Sequence, residues 1–255
     1  MMSEHYIEHD NLSVAWGRAL LAASARGRKE FGPLVVSVTG FDQSGTFYEE
    51  PKLRKALDAV LLAEGMQRVE TVANTIFPAS MWNPTAPRDQ LFARYQKVAP
   101  RLRRSSPKNK RGIYFERMIT GGPPGRENQL DFALTTYSTR TGVRRSVLQV
   151  GVFHPSLDHS AAAQLGFPCL QHVTFAPTDG GLCVNALYAS QYIVERAYGN
   201  YVGLCWLGRF VAHELGIPLV RMTCFTGIAE CDIGKGRLAS LLAAASEAAG
   251  QTQQG

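Results

Sequence analysis

The sequence has no CxxC pair among its five cysteines, Cys169, Cys183, Cys205, Cys224 and Cys231. An odd count without paired spacing argues against both a disulfide framework and a structural zinc site, and leaves reduced thiols as the expectation. His154, His159, His172 and His213 lack metal-ligand spacing as well, so no metal is expected. No apolar run is long enough to cross a bilayer. Glu4, His5, Glu8 and Asp10 stand where a secretory leader needs basic and then apolar residues, and a soluble cytoplasmic protein without a membrane partner is expected. Internal repeats and linker-like stretches are missing too, which points to one domain over residues 1–255.

What is present is an ordinary globular composition, 45% hydrophobic and 19% charged, sufficient for a sizeable core. The formal charge of +6 favours an anionic ligand. Much of the excess falls in one stretch, Arg101, Arg103, Arg104, Lys108, Lys110 and Arg111. Such runs are usually solvated loops, and no helix-turn-helix, zinc or aromatic-basic RNA-binding signature accompanies this one. Nucleic acid is therefore kept only as a minor alternative partner.

Periodicity predicts helices over Leu12–Ala25, closed by Gly27 with Arg28 and Lys29, over Lys52–Glu64 and over Asn128–Tyr137. A long apolar helix is predicted over Tyr201–Leu215, and an alanine-rich one over Arg237–Ala249. Strands are predicted at Leu34–Thr39, Ser146–Phe153, His172–Ala176, Leu182–Ile193 and Leu219–Phe225. From Asn83 to Arg126 the proline, glycine and basic content predicts a basic loop or insertion, with a short helix only near Leu91–Tyr95. The order gives an α+β single domain on one large mixed sheet.

Five segments carry the functional reading: Arg144-Arg145, Phe153-His-Pro, Gly166-Phe-Pro-Cys169, Leu187-Tyr-Ala-Ser190 and Gly199-Asn200 opening a core helix. In this order and spacing the chain resembles the thymidylate synthase family, most closely from Gln129 to Gly216. The resemblance implies a three-layer fold and a homodimer in which the arginine pair reaches the partner's site. It implies Cys169 as the nucleophile that adds to C6 of a pyrimidine nucleotide or nucleoside, so that C5 becomes nucleophilic in turn. Attack requires the thiolate, which nearby arginines favour, and Arg144 and Arg145 would also bind phosphate.

By the same resemblance Asn200 reads the base edge, with asparagine leaning towards uracil, and Ser190 contacts phosphate. Glu70 is the candidate for organising water and protons, with Tyr114 and Trp82 as pocket walls. The carbon donor implied is 5,10-methylenetetrahydrofolate. Several family positions depart: Ala189 replaces an arginine, Tyr192 an aspartate, Leu170 a histidine and Thr174 a glutamine, and the sugar-binding signature is missing from Phe225–Ala229. These departures point away from ordinary dUMP and towards a specialised branch of nucleotide metabolism.

Blander readings compete at each position. Cys183, Cys205 and Cys224 pack as small hydrophobes. Arg144 and Arg145 would be surface charges beside the turn at Gly142, Asn200 a helix N-cap and Glu70 a solvated helix residue. Two other functions compete with the transferase: a non-catalytic nucleotide-binding homologue or partner subunit, and a cysteine hydrolase pairing Cys169 with His213.

Overall fold

A computed structural model of the chain describes residues 5–25, 30–106, 109, 112–159, 161 and 168–251. In chain order the elements are β1 (Tyr6–His9), α1 (Leu12–Ala25), β2 (Glu30–Phe31), β3 (Leu34–Val38), α2 (Pro51–Ala63) and α3 (Val69–Ile76). There follow α4 (Arg88–Arg104), α5 (Tyr114–Thr120), α6 (Gln129–Thr139), β4 (Gln149–Gly151) and α7 (Pro155–Asp158). The chain closes with β5 (Leu170–Thr178), β6 (Gly181–Tyr192), α8 (Tyr198–Leu215), β7 (Leu219–Glu230) and α9 (Ala239–Gln251). The proposed stop of α1 at Gly27 lies outside the described residues.

One mixed sheet organises the domain in the order β1-β3-β7-β6-β5-β4, with β2 paired to the end of β7. The pairs β1–β3 and β6–β7 are parallel and the others antiparallel. The long crossover from β6 to β7 is α8, buried nearly all round because the sheet covers one side of it and α3 the other. α1 is sandwiched in the same way between β1, β3 and the outer helices α2 and α9. The layers are thus sheet, inner helices and outer helices.

Close approach of α3 to α8 depends on two glycines. A Cβ on Gly199 would lie 2.6 Å from the Val72 Cβ, and one on Gly203 would lie 2.7 Å from the Ala73 carbonyl oxygen. Any larger residue would have to push the two helices apart, at about 1–3 kcal/mol for overpacking.

Among the described residues no helix covers the opposite face of the sheet. Strand register aligns Tyr6, Val35, Phe225, Leu187 and His172 in one row across it. The neighbouring row is Glu8, Ser37, Thr223, Asn185, Thr174 and Gln149. Phe225 and Leu187 are exposed although both are large and apolar.

The stretch expected to be a loop is largely helical. α4 runs for 17 residues, straight through Pro100, because Leu91, Phe92, Tyr95 and Ala99 form a buried stripe against Phe115 and Phe210. Pro100 sits on the exposed side, where tertiary packing outweighs its lost N–H. The expected strand Ser146–Phe153 shortens to β4, since Arg145–Val147 forms a 3₁₀ turn. β1 has no clear alternation in sequence and is an edge strand paired only to β3.

Two histidines give the fold a pH dependence. Burial comes first in holding both His9 and His172 below the ordinary imidazole range, and Arg18 adds to it at His9. His9 Nδ1 accepts the Asn11 N–H at 2.9 Å, a bond that a protonated ring cannot receive. The unfolded chain therefore takes up these protons first as pH falls. Stability is expected to be full above about pH 6.5 and to decline below it. Urea unfolding across that range checks this, and a flat profile would contradict it.

Candidate functional site

A cleft of about 400 Å³ opens where β5, β6, α5 and the start of α8 converge. It is of a size for one small-molecule ligand. Cys169 stands at its edge, one residue before β5, with its backbone carbonyl accepting the Ala189 N–H of β6 at 3.0 Å. Its thiol is exposed, and Sγ lies 3.9 Å from the Ser190 hydroxyl. The other cysteines differ. Burial pushes the Cys224 thiol up to about 12 and that of Cys205 well above its ordinary value, so neither is poised to ionise.

Asn200 enters the cleft from α8 and is almost wholly buried. It is not an N-cap. A five-residue π-helical turn, Ile193–Ala197, runs directly into α8, so Asn200 lies inside continuous helix and its side chain makes no capping bond. Its carboxamide is left directed at the cleft.

Tyr114, at the first turn of α5, forms another wall. Burial comes first in raising its hydroxyl, to about 12, while Arg196 and the backbone N–H groups of Leu170 and Cys169 pull the other way. Tyr188 is fully buried behind it, and the exposed ring of Tyr192 stands at the mouth. Cys169, Ser190, Asn200 and Tyr114 are thus brought together as expected from sequence.

Four other expected residues are not among those lining the cleft. Glu70 points to solvent from α3 and ion-pairs with Arg54, which also binds Glu49 at 3.1 Å and Asp58 at 3.1 Å. Trp82 packs edge-on against Phe77, Phe210 and His213, 5.5–5.9 Å between ring centroids, at the last turns of α8. Arg144 and Arg145 are exposed near the 3₁₀ turn, and Arg145 donates to the Pro177 carbonyl at 2.9 Å. His213 is exposed in the last turn of α8, its Nε2 3.0 Å from the Pro84 carbonyl, which removes it as a partner for Cys169.

The charged groups that do line the cleft are Glu195, Arg196 and Arg117. Glu195 and Arg196 sit on the π-helical turn and pair with each other at 2.9 Å. That turn is held by Asp232, whose two carboxylate oxygens accept the N–H groups of Val194 and Glu195, both at 2.9 Å. Single-turn π insertions concentrate at functional sites, and here the extra residue rotates two charges into the cleft. Sequence reading had no signal for them, since a π turn leaves no periodicity. Arg117 is committed to Asp158, with N–O distances of 2.7 and 2.8 Å.

Fold and site together define a class: an α+β protein with an exposed cysteine beside a tyrosine-walled cleft and a buried carboxamide facing it. Comparison with protein-family models and with curated proteins gave no match.

Proposed function

We propose that this chain is a thymidylate synthase-like transferase that attaches a one-carbon unit, as methyl or hydroxymethyl, to C5 of a pyrimidine nucleotide or nucleoside. The observation that supports it is the meeting of Cys169, Ser190, Asn200 and Tyr114, distant in sequence, in one cleft sized for a flat heterocycle. In this reading the Cys169 thiolate adds to C6, and the C5=C6 electron pair moves to make an enolate with a nucleophilic C5. Asn200 holds the base edge, its carboxamide donating to one ring carbonyl while accepting from the neighbouring N–H. After C5 has bonded to the one-carbon unit, the C5 proton would leave to a base as the carrier's amine departs, giving an exocyclic methylene on the base; hydride from the reduced folate would make it methyl, or water would make it hydroxymethyl, as the C6–S bond breaks and the thiolate is expelled.

Glu195, which lines the cleft, would take that proton, in the role first expected of Glu70. Methylenetetrahydrofolate, when bound, would supply the electrophilic carbon. The exposed ring of Tyr192 at the mouth is the surface that would hold its flat pterin.

The reading includes a homodimer. The uncovered sheet face with exposed Phe225 and Leu187 is what a second copy would cover, and Arg144 and Arg145, exposed and outside their own chain's cleft, would serve a partner's. Sedimentation at twice the monomer mass is expected, and Phe225→Glu with Leu187→Glu should shift it to monomer. A wild-type monomer would remove the dimer from the proposal.

Tritium release from 5-tritiated uracil and cytosine nucleotides and nucleosides, with methylenetetrahydrofolate supplied, tests the chemistry. Release from at least one is expected, and release from none would end the reading. The non-catalytic alternative is favoured by one observation, that the cleft's own arginines are already paired to carboxylates. Calorimetry showing tight nucleotide binding with no product from the wild type would select it.

A further inference from the structure

We infer that the exposed basic face of α4 binds the sugar-phosphate backbone of a single-stranded nucleic acid, with the cleft at one end of the track. The basic run was read from sequence as loop, and the helix changes its meaning. Arg94, Lys97, Arg101 and Arg104 recur at intervals of three, four and three residues, which places all four on one side of α4. They span ten residues, about 15 Å of helix.

All four are exposed and none has a carboxylate partner among the described residues, whereas Arg88 binds Asp131 and Glu214, and Arg103 binds Glu116. Compensation of the helix dipole would account for cations in the last turn only. Arg94 and Lys97 lie about three and two turns before the end of α4. A single phosphate would need one or two of these charges, and a row of four suits a chain of phosphates.

The track leads to the cleft. Asn109 donates from Nδ2 to the Leu102 carbonyl in the last turn of α4, at 3.0 Å, and itself lines the cleft. The C-terminal end of α4, where the stripe ends, is therefore tied to the cleft, whose lining includes the exposed ring of Tyr192. A basic track beside an aromatic surface is how single strands are held without sequence preference. A concave cleft admits an unstacked base and not a base pair, which selects a single strand over a duplex. That the base entering it is modified at C5 rests on the function proposed above, and the backbone contact does not.

The test is fluorescence anisotropy of the full chain with a labelled oligouridylate over a salt series. Binding is expected with a log–log salt slope near −3, from about 0.7 per phosphate over four contacts. Arg101→Gln with Arg104→Gln is expected to flatten the slope by about 1.4 and weaken binding about tenfold. Lys55→Gln with Lys235→Gln removes the same charge from exposed sites elsewhere and should change little. The inference is overturned by no binding at low salt, by equal effects of the two double variants, by competition from UMP as effective as from unlabelled oligouridylate, or by binding to phosphatidylserine vesicles in its place. Wild-type protein that binds oligouridylate but releases no tritium from any nucleotide or nucleoside would retire the chemistry and leave this surface standing.

Discussion

Cys169→Ser is expected to lower tritium release from the accepted 5-tritiated nucleotide by at least about 10³-fold while the thermal midpoint stays where it was. The change is one atom. Serine keeps the size and the approach to Ser190, but its hydroxyl does not ionise near neutral pH, so the nucleophile that adds to C6 is lost. Stability is unaffected because the thiol is exposed and fills no part of the core.

The control is Cys205→Ser. Its thiol is fully buried in α8, so that substitution should cost stability, by burying a hydroxyl among apolar neighbours, without removing the nucleophile. Single-turnover rates and circular dichroism melts on both variants separate the two effects. Undiminished release from Cys169→Ser would mean that the sulfur takes no part in the reaction.

Asp158→Ala is expected to be the most damaging substitution to the fold. Asp158 has no exposed surface, and its carboxylate takes both terminal nitrogens of Arg117, at 2.7 and 2.8 Å, together with the His154 N–H at 2.7 Å. Arg117 also donates to the Val152 carbonyl at 3.0 Å. Removing the carboxylate leaves a guanidinium only 11% exposed with its countercharge gone, at about 3–5 kcal/mol.

For a chain of this length that corresponds to a fall in thermal midpoint of roughly 6–20 °C. Replacing both partners, Asp158→Leu with Arg117→Met, should recover much of the loss, because no buried charge is then left unpaired. An unchanged midpoint in Asp158→Ala would show that the pair contributes nothing. Since Arg117 also lines the cleft, its loss should lower ligand affinity as well.

Much of the architecture was legible locally. α1 and α2 came from helical spacing, β3, β5, β6 and β7 from β-branched runs, and the end of α8 from Gly216, which adopts the left-handed conformation that ends helices. Cys169, Ser190, Asn200 and Tyr114 were named from the resemblance to the thymidylate synthase family and line one cleft. Glu70 and Trp82 were named on equally local grounds and lie elsewhere, because nothing in a helical segment tells which neighbour its outer face will meet.

What the sequence by itself determined is therefore the set of elements with strong periodicity and the standing of Cys169 outside the apolar segments that hold Cys183, Cys205 and Cys224. Both follow from properties of a residue and its near neighbours, which act before the chain is compact. Only the tertiary structure decided that residues 88–104 form a helix through Pro100, that Asn200 faces a cleft and caps nothing, and that Glu195 and Arg196 are its charges. Those outcomes depend on packing between segments far apart in the chain, where burial of Leu91, Phe92 and Tyr95 outweighs local preference and Asp232 fixes a turn that no repeat in the sequence announces.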